Sequence, residues 1–299
     1  MRSDAGHPAA FRAFAPAKIN LYLHVLGRRP DGYHLLDSLV AFADIGDEVT
    51  AAPADTLTLT LGGPEAEAIV GLGDDNLVLR AARLLMARAA IDAGAALHLD
   101  KRLPAAAGIG GGSSDAAAAL RALSRLWGHP FDAEGLAALA LELGADVPAC
   151  LAVRPVWVGG IGDEIEPAAS LPKAGIVLAN PRRPLPTAAV FQRRSGAFSA
   201  PARFDPMPSD AAGLAGALAS RHNDLTGAAQ ALVPEIGAVL ERLAALPGAL
   251  LARMSGSGAT CFALFDDRAA ALIAGRALAA AEPGWWSAAG ALLPEPPGR

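Results

Sequence analysis

Between Leu103 and Ala119 the chain reads LPAAAGIGGGSSDAAAA, and residue types in that order suit the binding of phosphate. Gly108, Gly110, Gly111 and Gly112 permit positive φ and leave no Cβ in the way, so successive N–H groups can line one concavity. Ser113 or Ser114 is placed to cap the helix predicted to follow, in which Leu120, Leu123 and Leu126 recur at helical spacing. The positive end of that helix would face the same ligand. Upstream, Leu97 to Asp100 alternates apolar and polar residues as a half-buried strand does. The loop is not a Walker A sequence, which needs a lysine before the final Ser/Thr, and Ser113 stands where a dinucleotide fingerprint has its third glycine. A bare glycine–serine cluster also describes a flexible loop, but a strand before it and a capped helix after it favour an ordered phosphate site.

Phosphoryl transfer asks a protein chiefly to position groups and stabilise charge. Lys18 opens the alternating stretch AKINLYLHV and offers a point charge for a transferring phosphate. Asp146 follows a helix predicted between an Asp132 cap and Gly144, and offers a carboxylate to orient or deprotonate an attacking hydroxyl. Taken singly, such a lysine is more often solvated, and such an aspartate more often organises its turn.

Other elements must position these groups. Strands are predicted at Phe14 to Val25, Leu57 to Leu61, Val156 to Val158 and Ile176 to Ala179, and helices at about Leu77 to Ala90, Val233 to Leu246 and Arg268 to Ala281. Pro30-Asp31-Gly32 is turn chemistry. Ser195 to Gly213, rich in proline, reads as a mobile or variable insertion. Ala252 to Phe265, ARMSGSGATCFALF, is a second small-residue turn leading into an apolar strand.

At 299 residues the chain is long for one core, and two domains are expected. A net charge of −5 leaves no basic footprint for nucleic acid. Cys150 and Cys261 are too few for a disulfide framework and lack zinc-site spacing, so a reducing, cytoplasmic setting is expected and no metal site is predicted. No apolar run reaches membrane-spanning length, and the first residues lack the apolar stretch of a secretion signal.

In order along the chain, PAKINL from Pro16, DGYH from Asp31, GIGGGSSDAA from Gly108, LGADVP from Leu143 and SGSGAT from Ser255 resemble the motifs of the GHMP kinase superfamily. PAKINL with DGYH is most similar to the branch acting on a cytidine-diphosphate-linked methylerythritol. The resemblance implies an α+β, two-domain GHMP-kinase-like fold: residues 1–158 carrying the phosphate loop and catalytic pair, and 159–299 forming a C-terminal α/β-sandwich, ferredoxin-like domain that closes the cleft. It implies ATP-dependent phosphorylation of the 2-hydroxyl of that substrate in the non-mevalonate route to isoprenoids, with Mg²⁺ held mainly by ATP phosphates. Lys18 and Asp146 take the catalytic positions. Pro104, Gly108, Gly110, Gly111, Gly112, Ser113 and Ser114 line the ATP phosphates. Asn20, Tyr33, His34, Thr187 and Phe191 meet the acceptor, with Tyr33 and Phe191 as aromatic walls for cytosine. A soluble monomer or homodimer without membrane or nucleic-acid partners is expected. The competing readings are a related kinase with another alcohol or phosphate acceptor, and a nucleotide-binding module without turnover.

Overall fold

The computed structural model describes residues 10–294; the N-terminal residues 1–9, part of the stretch read for a secretion signal, lie outside them. The chain divides into two compact units, each assembled from separate stretches. One takes the described residues through Ala15, Asp47–Arg102 and Gly112–Leu151. The other takes Pro16–Gly46, Leu103–Gly111 and the described residues from Ala152 onward. Two long strands, β1 (Phe11–Arg28) and β2 (His34–Ala54), run through both.

In the first unit the end of β2 pairs antiparallel with β4 (Gly94–Asp100), and β4 pairs in parallel with β3 (Thr58–Gly62). The connection between β3 and β4 carries a 3₁₀ stretch, Ala66–Asp75, and helix α1 (Leu77–Ala89), capped by the Asn76 side chain on the Val78 amide. Helix α2 (Gly111–Leu126) buries its alanines and Leu120 and Leu123. It starts before the predicted Ser113 or Ser114 cap, so both serines lie inside its first turn. Two glycines in a helix cost about 1 kcal/mol each relative to alanine, which burial of the alanine run offsets. Helix α3 (Ala133–Leu143) has the predicted ends: Asp132 accepts from the Gly135 amide and Gly144 is the C-cap. Helix α4 (Val147–Ala152) follows directly.

In the second unit β5 (Val156–Gly159) pairs antiparallel with β2 and with β6 (Glu164–Pro167). A separate four-stranded antiparallel sheet has the order β10-β7-β9-β8, formed by β7 (Gly175–Asn180), β8 (Leu251–Met254), β9 (Cys261–Phe265) and β10 (Trp286–Ala291). Helices α5 (Thr187–Arg193), α6 (Ala211–Ala219), α7 (Thr226–Leu232) and α8 (Glu235–Ala244) lie between β7 and β8, and α9 (Arg268–Ala281) lies between β9 and β10. A β-α-β-β-α-β succession in this strand order is the ferredoxin-like arrangement. The central strands β7 and β9 are buried throughout and read as near-continuous apolar runs because both faces are covered. Val177, Ala179, Ala263 and Phe265 pack with Ile236, Val239, Ala271 and Leu278 of α8 and α9, while Ile176, Leu178, Phe262 and Leu264 pack with Ile19, Leu21, Leu39 and Leu214.

Candidate active site

β1 delivers Lys18 to the glycine loop. The Lys18 amide donates to Ile109 O at 2.9 Å, and the side chain runs beside Gly110, where an added Cβ would lie 3.0 Å from Lys18 Cβ. Lys18 is 6% exposed. Gly108 and Gly110 have φ of 74° and 65°, the left-handed region open to glycine at no steric cost. The turn from Ser255 to Thr260 cradles this loop from within the same unit. Ser255 Oγ donates to Gly108 O at 3.2 Å, and the Thr260 amide donates to Ala107 O at 3.1 Å. A Cβ on Gly108 would come within 2.5 Å of Gly258 O, and one on Gly256 within 2.5 Å of Gly108 O. Glycine at 108 and at 256 is therefore explained by the mutual approach of the two turns.

Asn20, two residues beyond Lys18 and so on the same strand face, is buried. Its backbone amide donates to Ser255 Oγ at 3.1 Å, its Nδ2 donates to Ser38 Oγ at 2.8 Å, and its Oδ1 has no hydrogen-bond partner. Ser38 Oγ donates in turn to Tyr22 O.

The turn after β1 is closed by the Gly32 amide on Arg29 O and by Arg28 Nε on Gly32 O at 3.2 Å. It leaves Tyr33 60% exposed. The His34 ring stands 5.1 Å from that of Phe191, tilted by 30°. Burial first, then the cationic Arg28 and Arg194, hold the His34 imidazole below its ordinary pKa. It is accordingly neutral at pH 7 and carries one donor and one acceptor nitrogen. Thr187, at the start of α5, shares a hydrogen bond with Ser257 of the small-residue turn, Oγ1 to Oγ 2.8 Å.

One unit thus holds Lys18, Asn20, Tyr33, His34, Pro104, Gly108, Gly110, Gly111, Thr187 and Phe191; Gly112, Ser113, Ser114 and Asp146 belong to the other. Asp146 immediately precedes α4, and its carbonyl accepts from the Cys150 amide at 3.1 Å, so it begins a short helix as well as following α3. Both cysteines are buried, and burial raises the Cys261 thiol pKa. The proline-rich stretch expected to be mobile is tied down: the Ser199 amide donates to Val25 O at 3.0 Å and the Ala202 amide to Asp37 Oδ2 at 2.6 Å. Among the groups that sequence reasoning left unassigned, Arg28 and Arg194 lie near His34, and Ser255 and Ser257 hold the loop and Thr187. The signal for the serines was their place in SGSGAT; the arginines stand out along the chain as the adjacent pairs Arg28-Arg29 and Arg193-Arg194, which suit phosphate or solvent equally and do not point to His34.

Two family models match, GHMP kinases N terminal domain over residues 76–153 and GHMP kinases C terminal over 209–283. The chain is 54% identical over 284 residues to a 4-diphosphocytidyl-2-C-methyl-D-erythritol kinase of Paramagnetospirillum magneticum, covering 95% of this chain and 99% of the relative. The chain belongs to the 4-diphosphocytidyl-2-C-methyl-D-erythritol kinases of the GHMP family. A relative of the same name from Rhodospirillum rubrum is 52% identical, covering 93% of this chain and 91% of the relative. A solved structure of 4-(cytidine 5'-diphospho)-2C-methyl-D-erythritol kinase superposes with a TM-score of 0.78 at 36% identity, covering 94% of this chain and 98% of that one. As a GHMP kinase the protein is an ATP-dependent small-molecule kinase with the two-domain α+β fold of that family. Among the described residues, no helix is long and apolar enough to cross a membrane.

Proposed function

We propose that the protein phosphorylates the 2-hydroxyl of 4-diphosphocytidyl-2-C-methyl-D-erythritol, a step of the non-mevalonate route to isoprenoid precursors, in the cytoplasm. The observation that carries the choice of acceptor is the His34–Phe191 ring pair, 5.1 Å between centroids, beside the exposed ring of Tyr33. Aromatic faces suit a nucleobase, and a neutral imidazole suits the donor–acceptor edge of cytosine.

Bound ATP supplies the phosphoryl group. The loop residues Pro104, Gly108, Gly110, Gly111 and Gly112 fit a polyphosphate because their positive-φ glycines admit close approach to backbone N–H groups, and α2 begins at Gly111. Ser113 and Ser114 add hydroxyls in its first turn. In this reading Asp146 accepts or polarises the proton of the attacking hydroxyl, and Lys18 keeps that carboxylate ionised and stabilises the attacking oxygen. Asn20 and Thr187 orient the acceptor, Tyr33 and Phe191 stack on its base, and His34 reads the base edge. Mg²⁺ would be held mainly by phosphate oxygens and water, since it dehydrates reluctantly.

A coupled ADP-release assay with Mg-ATP, comparing this acceptor with mevalonate, homoserine and galactose and identifying products by mass spectrometry, tests the proposal. Turnover on the cytidine-linked acceptor alone is expected. Turnover on another acceptor instead would overturn the roles of Tyr33 and His34, and ATP binding without turnover on any would overturn the kinase reading.

A further inference from the structure

Three buried titratable side chains flank the glycine loop at both of its chain ends, and all lie in one unit. Lys101, 2% exposed, is the first residue beyond β4 and stands two positions before Leu103. Its Nζ donates to Asp47 Oδ2 at 2.5 Å and to Asp115 Oδ2 at 2.7 Å. Asp115 is the fifth residue of α2, directly after Ser113 and Ser114. Asp47 on β2 also accepts, through Oδ1, the Arg102 amide at 2.5 Å. The entry to the loop is therefore held by the side chain of residue 101 and the backbone of residue 102, and the exit by residue 115. The Lys101 backbone is itself fastened, its amide to Gly62 O at 2.7 Å and its carbonyl to the Glu65 amide at 3.0 Å.

The chemistry of the cluster distinguishes its members. Burial first, then Asp47, push the Asp115 carboxyl up to about 8 against the opposing pull of Lys101. The charged groups facing Asp115 are Lys101, at the end of β4, and Asp47, on β2. With its proton held by Asp115, the cluster is one ammonium and one carboxylate, and it adds no net negative charge to the helix start where anions are favoured. Asp115 Oδ1 is buried without a hydrogen-bond partner, so the residue is committed to the loop exit through Oδ2 alone.

We propose that Lys101, Asp47 and Asp115 are positioning residues for ATP, setting the separation of the two chain ends of the glycine loop and hence the aim of its amides. The proposal rests on the reading that this loop holds the ATP phosphates. A small displacement of positioning groups is costly in rate or binding even where they touch no substrate.

The test compares Asp115→Ala, Asp115→Asn, Lys101→Met and, as a loop control, Ser113→Ala, each with its melting temperature. Asp115→Ala and Lys101→Met are expected to raise KM for ATP about tenfold or more while KM for the acceptor stays within about twofold. Asp115→Asn is expected to stay within about threefold of wild type, because an amide matches the neutral carboxylic acid in shape and keeps both a donor and an acceptor. If Asp115→Ala is folded and leaves KM for ATP unchanged while Ser113→Ala raises it, the loop still binds ATP and the positioning role is overturned. Should neither variant move KM for ATP, the phosphate-loop reading fails and the proposal falls with it. Where Lys101→Met gives no folded protein, the contrast between the two Asp115 variants decides the matter.

Discussion

At the glycine loop the groups offered to a ligand are backbone amides, held by a buried lysine on β1 and by a turn so close that neither Gly108 nor Gly256 has room for a Cβ. At the turn after β1 they are side chains, with Tyr33 60% exposed and His34 paired with Phe191. Both regions belong to the same unit. The difference teaches where each substitution should register. A loop made of backbone cannot be altered without straining the fold, whereas the exposed Tyr33 ring can be removed and only the ligand will notice.

The largest expected effect lies on the phosphate side. Asp146→Asn should lower kcat by roughly two to four powers of ten, the usual size of a lost general base, with ATP affinity retained in a direct binding measurement. Next, Gly108→Ala forces a Cβ onto positive φ and against Gly258 O. It should lose on the order of 1–3 kcal/mol of stability from backbone strain, read as a shift in the urea midpoint.

Tyr33→Ala should raise KM for the acceptor by the equivalent of about 1–3 kcal/mol of lost stacking, with stability within about 0.5 kcal/mol of wild type, as for other surface changes. A large loss of stability in Tyr33→Ala, or none in Gly108→Ala, would break the contrast between the two regions.

A subtler prediction concerns pH. Asp115 is held above its ordinary carboxyl range in the folded protein, up to about 8. Its stabilising contribution is full in acid below the ordinary range and is lost as pH rises through about 8, where the folded state stops binding the extra proton. Melting temperature should therefore decline from about pH 5 toward 8 on this account and level off above, and Asp115→Asn should flatten that slope. An unchanged profile in Asp115→Asn would mean that Asp115 does not carry the proton.

Much of this was legible along the chain. The strand at AKINLYLHV, the helices near Leu77 and Arg268, and the Asp132 and Gly144 caps followed from periodicity and capping chemistry. Strand β2 did not, because Asp37, Ser38, Asp44 and Asp47 interrupt its apolar pattern. Each is satisfied by a residue distant in sequence: Tyr22, Asn20, Arg268 and Lys101 respectively. Helices α6 and α7 were missed for a related reason, as their short alanine–glycine runs carry little amphipathic signal and owe their place to packing.

By itself the sequence determined the chemistry on offer: a glycine-rich loop ahead of a helix, a lysine on an early strand, an aspartate just past a helix end and a Tyr-His turn. Those are matters of local spacing and residue type. Only the tertiary structure decided that SGSGAT cradles the first loop, that His34 meets Phe191, and that Lys101 draws Asp47 and Asp115 together. The reason is physical. A buried charge is tolerable only with partners, at a cost of about 3–5 kcal/mol when one is removed, and those partners are 54 and 14 residues away, beyond the reach of any local pattern.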